Sequence, residues 1–217
     1  MTTRSGITKA SPARRVGRPR AEGKRDAIVD QAWDMFLTRG VQGTTLEAVA
    51  KAAGVSRVTL YSHFSDKTAL FEATIRREMA RLEGLQKTSA AGLPLRDTLV
   101  AFGMGLMTYL TSGAAVSFYS VLAGELRRHP DLASRFYWLG PGQTLRNLTA
   151  LLAAAHERGE VALPSPVRGA DQLIGLWQGM SQFQLALGVG VEELVASLPE
   201  RVEGGVDLFL RQHRVPC

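Results

Sequence analysis

Residues 44–64 read TTLEAVAKAAGVSRVTLYSHF, two short apolar-periodic runs separated by a glycine. In the first run Thr44 stands three residues before Glu47, the spacing of a capping box, and Leu46, Val49, Ala50 and Ala53 recur on one face of a helix. Gly54 ends that helix, and Ser56 is a good N-cap for a second one reaching about His63. Val55, Leu60 and Phe64 then serve as its apolar anchors, which leaves Ser56, Arg57, Thr59, Ser62 and His63 facing outward.

A helix, a glycine turn and a second helix in such close succession is the form of a DNA-binding helix-turn-helix, whose second helix enters the major groove. Arg57 suits bidentate hydrogen bonding to guanine, and the Thr59 methyl suits contact with a thymine methyl. Ser56, Tyr61, His63 and Lys67 are placed for phosphates, which set position without reading sequence. The Thr44-Thr45 pair offers a further hydroxyl and free backbone N–H groups to a phosphate. The competing reading is an ordinary amphipathic helix pair with a solvated polar face.

Upstream, residues 1–25 hold eight Lys and Arg against one acid, Glu22, a local surplus of +7 that exceeds the chain's formal charge of +6 and leaves the other residues at −1. A surplus at one end is a handle for a polyanion, either nucleic acid or an anionic membrane surface. Residues 1–22 are polar and punctuated by Pro and Gly, the composition of a flexible arm. Within it Arg14, Arg15, Arg18 and Arg20 flank Gly17 and Pro19 in an extended segment suited to a narrow minor groove, with a plain solvated tail as the alternative. The folded part is expected from near Lys24, where Ile28, Val29, Ala32, Trp33, Phe36 and Leu37 mark a first helix that Gly40 stops. Ser65 is expected to cap a fourth helix running toward Leu82.

With these residues in view, GRPR, FLTRG and the run TTLEAVAKAAGVSRVTLYSHFSDKTALF resemble the N-terminal domain of the tetracycline-repressor (TetR) family over residues 17–75. The resemblance implies a homodimeric, usually ligand-controlled transcription regulator, most often a repressor. It implies that Arg57, Val58 and Thr59 face bases while Thr45, Tyr61, His63 and Lys67 contact the DNA backbone. Val58 departs from the small residue common at that position, which leaves the operator sequence open.

Beyond residue 90, apolar-periodic segments are separated by Pro94, Ser112-Gly113, His129-Pro130, Gly140-Pro141-Gly142, Gly159, Pro164-Ser165-Pro166, Gly188-Val189-Gly190 and Pro199. No run alternates well enough to predict a strand, so the chain reads as all-α: an arm over 1–22, a helix-turn-helix domain over 23–70 and a larger helical ligand-binding and dimerisation domain over 71–217. Thr98 to Gly124 lacks charge, but its Ser, Thr, Tyr and Gly content favours buried helices broken near Gly113 over a membrane span.

Residues 122–161 resemble the multidrug-efflux-regulator (AefR-like) subtype of the same family, which implies a small-molecule sensor. An enclosed apolar cavity needs adaptable walls, and Phe102, Met104, Met107, Tyr109, Phe118 and Tyr119 offer them in one charge-free segment. Trp177, Met180 and Phe183 do so in another, although each of these nine residues also suits plain core. The resemblance places dimer pairing on two last helices, about 167–188 and 191–213, with Leu173, Trp177, Leu185, Leu194, Leu208 and Leu210 as contacts. Two copies of the reading helix imply a near-palindromic operator on double-stranded DNA.

An enzyme is not indicated, since His63, His129, His156 and His213 are scattered without the spacing of a metal set or a nucleophile's base, and no metal or cofactor is implied. Cys217 is the sole cysteine, so no intramolecular disulfide forms, and the N-terminus lacks the apolar region of a secretory signal. The expected location is the bacterial cytoplasm, at the nucleoid.

Overall fold

A computed structural model describes residues 20–90, 93–127 and 130–215. The helix-turn-helix region comprises α1 (Arg20–Arg39), α2 (Leu46–Ala52) and α3 (Arg57–His63), followed by the long α4 (Lys67–Ala90). The rest consists of α5 (Leu95–Leu110), α6 (Gly113–Leu126), α7 (Pro130–Leu139), α8 (Pro141–Glu157), α9 (Pro166–Gln178), α10 (Ser181–Leu187), α11 (Val191–Ala196) and α12 (Leu198–Gln212). No strand occurs among the described residues. α1 starts at Arg20, earlier than the Lys24 expected from apolar periodicity, because its residues before Ala27 include no large apolar side chain to signal the helix.

Two expected caps are displaced by one residue. Thr45, not Thr44, caps α2: its hydroxyl accepts from the Ala48 N–H at 3.2 Å, while buried Thr44 donates to the Gly40 carbonyl at 2.8 Å. A hydroxyl already turned back onto α1 has no reach to the first turn of α2. Likewise Asp66 caps α4, accepting from the Ala69 N–H at 2.8 Å, and Ser65 donates to the other Asp66 oxygen at 3.0 Å. The Ala69 bond, then the Ser65 bond, hold the Asp66 carboxyl below its ordinary value. Asp66→Ala is therefore expected to cost about 1 kcal/mol in urea unfolding. The wild-type advantage should be complete above about pH 4 and vanish as pH falls through the lowered native value. Between α2 and α3 the chain turns at Gly54 with φ +65, left-handed backbone that favours glycine.

The buried residues form two cores. One joins α1, α2, α3 and the first turns of α4 to Phe118 of α6 and Leu132 and Phe136 of α7. The other is built by the end of α4 with α5, α8, α9, α11 and α12 around Leu99, Met107, Leu148, Leu173, Trp177 and Val206. Residue 70, the expected domain boundary, falls in the first turn of continuous α4, and α6 and α7 complete the N-terminal core from the far side. Ion pairs reinforce these junctions: Arg77 of α4 reaches Asp30 of α1 at 2.8 Å, Arg135 of α7 pairs with Glu72 of α4, and Arg96 of α5 grips Asp207 of α12 at 2.7 and 3.1 Å.

The charge-free segment is two helices, α5 and α6, whose axes bend by 59°, with Phe102 and Met107 buried. Among the described residues no single helix is long and apolar enough to cross a membrane. The span expected as one helix from 167 to 188 is α9 and α10, because Gly179 takes φ +44 at the end of α9. The last span is also divided, at Ser197, where Pro199 opens α12.

Candidate functional site

The reading face is built by three local hydrogen bonds. Ser56 Oγ accepts from the Thr59 N–H at 3.0 Å and lies 2.9 Å from the Thr59 hydroxyl, and Ser62 Oγ donates to the Thr59 carbonyl at 2.7 Å. The short helix is thereby capped and the Thr59 hydroxyl oriented, which leaves its methyl for outward contact. Leu60 and Phe64 are buried in the core that α3 shares with α1 and α2, whereas Val58 is 80 % exposed, Arg57 is exposed and Tyr61 is about half exposed. An exposed valine on a helix this short contributes nothing to the core, so its side chain is available to a partner.

The expected phosphate residues are grouped around this face. Thr45 opens α2 and Ser56 opens α3; Tyr61 is exposed, and His63 is half buried beside Phe64. Lys67 also ties α4 to the loop before α2, donating to the Gln42 carbonyl at 3.3 Å. Arg14, Arg15 and Arg18 lie outside the described residues, and Arg20 is the first residue of α1. Arg25, which sequence reasoning passed over, stacks its guanidinium 5.4 Å above the Phe64 ring and braces the end of α3.

Between α4 and the helices α5 to α9 lies a cavity of about 210 Å³. Met79, Leu82, Leu106, Tyr109 and Tyr119 wall one side, and Tyr137, Thr144, Asp171, Ile174 and Gln178 the other. α9 divides its residues by helical period. Ala170, Leu173 and Trp177 are buried in the core, Asp171, Ile174 and Gln178 line the cavity, and Gln172, Gly175 and Leu176 face outward. Burial pushes Tyr119 up to about 12 and raises Tyr109 further, so both phenols stay protonated.

Of the nine residues expected around a pocket, Tyr109 and Tyr119 line this cavity. Phe102, Met107 and Trp177 are buried in the second core with Met104 packed against it, and Phe118 belongs to the N-terminal core, 4.5 Å from Trp33 between ring centres. Met180 and Phe183 are 69 % and 62 % exposed and do not line the cavity, following the kink at Gly179. Of the six expected interface leucines and tryptophan, Leu173, Trp177 and Leu194 are interior and unavailable to a partner, Leu185 and Leu210 are half buried, and Leu208 is exposed. Leu176 and Leu187, on α9 and α10, are further large apolar residues at the surface, 37 % and 74 % exposed.

Residues 28–74 match the model of the bacterial regulatory proteins of the tetR family, and residues 97–215 match that of the C-terminal domain of AefR-like transcriptional repressors. The chain belongs to the TetR family of transcriptional regulators. Among solved TetR structures, the flavonoid-responsive regulator FrrA is 31 % identical, superposes with a TM-score of 0.73 and is matched over 98 % of its length and 89 % of this chain. A TetR-family regulator of Mesorhizobium loti superposes at 0.77 over 91 % of this chain and 100 % of its own, and at 21 % identity it speaks to the fold alone. The HTH-type transcriptional repressor KstR2 of Rhodococcus jostii is 35 % identical over 118 residues, 54 % of this chain and 56 % of that protein. YdeS of Bacillus subtilis, an HTH-type transcriptional regulator, is 31 % identical over 117 residues, 51 % of this chain and 54 % of its own. This TetR chain thus spans about half the length of the curated relatives it matches. TetR proteins are transcriptional regulators and not enzymes, and DNA binding through the helix-turn-helix follows from membership.

Proposed function

We propose that this TetR regulator is a homodimer that represses from a near-palindromic operator and is released when a small, largely apolar ligand fills the cavity. One adjacency carries the reading: Tyr119 lines the cavity while the next residue, Phe118, is packed among Trp33 of α1, Phe71 of α4 and Phe136 of α7. A ligand that displaces Tyr119 moves the first turn-and-a-half of α6 against the scaffold that holds α3. Packed aromatic clusters switch between discrete arrangements more readily than they deform, so a small shift becomes a change in the spacing of the two reading helices. Matching half-sites requires those helices about 34 to 36 Å apart, and moving an operator-competent population from 99:1 to 1:99 takes about 5.5 kcal/mol of ligand preference.

On DNA, Arg57, Val58 and Thr59 read bases while Thr45, Ser56, Tyr61, His63 and Lys67 hold phosphates, with the arginines of the arm in the minor groove. Arg57→Ala tests this assignment. The expected result, from binding to a panel of operator variants, is a loss of about 1 to 3 kcal/mol confined to one base position per half-site. An equal loss at every sequence contradicts a base-reading role for Arg57.

Pairing falls to the apolar residues that α9, α10 and α12 leave on the surface, Leu176, Met180, Phe183, Leu187 and Leu208, since large apolar side chains exposed on neighbouring helices are the material of an interface. Leu187→Arg is expected to yield monomers in sedimentation velocity at micromolar concentration, with helix content unchanged because the side chain is 74 % exposed in the protomer. The ligand is expected to be aromatic, in line with FrrA, a relative responsive to flavonoids.

A further inference from the structure

The polar groups around the cavity identify the class of molecule it admits, given the ligand-controlled reading above. Three phenol rings, Tyr109, Tyr119 and Tyr137, contribute aromatic wall, and Met79 and Ile174 contribute adaptable apolar wall. Among the described residues the hydroxyls of Tyr109, Tyr119 and Thr144 have no hydrogen-bond partner, and Asp171 has no ion-pair partner. Thr144 is 8 % exposed, and Tyr109 and Tyr119 are sufficiently buried to resist ionisation. These hydroxyls are open to the cavity and unpaired among the described residues, so an occupant able to hydrogen-bond them replaces the water they otherwise hold, and one that cannot forfeits those bonds.

The charge balance of the lining is one-sided. It contains Asp171 and no Lys, Arg or His. An anion entering the cavity surrenders its hydration and faces a carboxylate with no cation in the lining, and Arg81, which acts on Tyr109 from beyond the wall, is accompanied there by the acid Glu78. A phenol or an ammonium, in contrast, donates to Asp171, and an ammonium additionally gains from the faces of the tyrosine rings. The volume of about 210 Å³ equals about seven waters at their liquid volume of about 30 Å³, the scale of one or two rings. Asp171 shares its helix face with Ile174 and Gln178, so its carboxylate serves the cavity.

We infer that the cavity takes a compact aromatic molecule that carries no negative charge and presents a hydrogen-bond donor, phenol or ammonium, to Asp171. Asp171 sets the charge specificity, and Tyr109, Tyr119 and Thr144 supply the remaining polar contacts.

The test is isothermal titration calorimetry of the full-length protein at neutral pH with three probes on one ring frame: 2-naphthol, 2-naphthylmethylammonium and 2-naphthoate. The expected order places the phenol and the ammonium at least about tenfold tighter than the carboxylate. Asp171→Asn, at an exposed position where folding is not at stake, should weaken the ammonium about tenfold and narrow its lead over naphthoate. Comparison of phenol with ammonium in the wild-type protein tells which donor the site prefers. The inference is overturned if naphthoate binds as tightly as either partner, if no probe binds up to about 1 mM, or if Asp171→Asn leaves all three affinities unchanged. Operator release followed in parallel separates this result from the ligand-controlled reading. The expected binding order without DNA release supports the cavity chemistry and removes the control mechanism, whereas release by naphthoate alone overturns the chemistry and keeps the mechanism.

Discussion

Phe118→Ala is expected to lower the unfolding free energy by about 3 to 5 kcal/mol. The ring is 3 % exposed and touches four aromatic neighbours, with centroid distances of 4.5 Å to Trp33, 6.3 Å to Phe71, 6.2 Å to Tyr119 and 5.9 Å to Phe136. Truncation removes the transfer free energy of the ring and leaves a cavity whose walls come from three different helices, none able to collapse alone. Urea unfolding by circular dichroism measures the loss. Phe118→Leu, which keeps most of the volume, should recover more than half of it, and a loss under about 1 kcal/mol in the alanine variant would mean that α6 is not anchored in the N-terminal core. If α6 relays ligand binding, the leucine variant should still bind operator but require more ligand for release, since a looser contact transmits less of the shift.

The second large effect is on DNA. Val58→Glu places a carboxylate at an 80 % exposed position between the two residues assigned to base reading, Arg57 and Thr59. Facing the phosphates and acceptor-rich base edges of the major groove, the new charge costs several kcal/mol, so operator affinity should fall by at least about a hundredfold. The unfolding midpoint should not move, because the side chain it replaces packs against nothing in the protomer. Fluorescence anisotropy with labelled operator gives the first quantity and a thermal melt the second. Retained affinity at low salt would place the reading surface elsewhere on the chain.

The N-terminal half was the more readable part because its signals are local. Caps, a glycine turn and an i, i+3, i+4 apolar pattern each depend on neighbours within a few residues, and α2 and α3 have the expected faces. The two cap errors have a common origin: Thr44 and Ser65 are cap-type residues one position early, and the bonds of the Thr44 hydroxyl to the Met35 and Gly40 carbonyls decided the first. In the C-terminal half the breakers located most helix ends, but composition alone did not say which face of a helix meets what. Phe118 and Tyr119 are adjacent, aromatic and alike in sequence, yet one is in the N-terminal core and the other on the cavity, because α6 is wedged between both. Likewise Leu173 and Leu176 are three residues apart, one fully interior and one 37 % exposed, and only the packing of α9 against α5, α8 and α12 separates them. Asp171 carried no signal, since an exposed acid on an amphipathic helix is ordinarily solvated.

The most direct test of a sequence-specific dimeric regulator is to incubate the purified protein with fragmented DNA of its own genome at about 150 mM salt, where phosphate-only binding is suppressed, and sequence what is retained. Recovery of one short inverted repeat, its half-site centres about one helical turn or a multiple apart, is the predicted result. Retention of fragments with no shared motif would contradict it and leave a basic arm on a helical domain without a reading function.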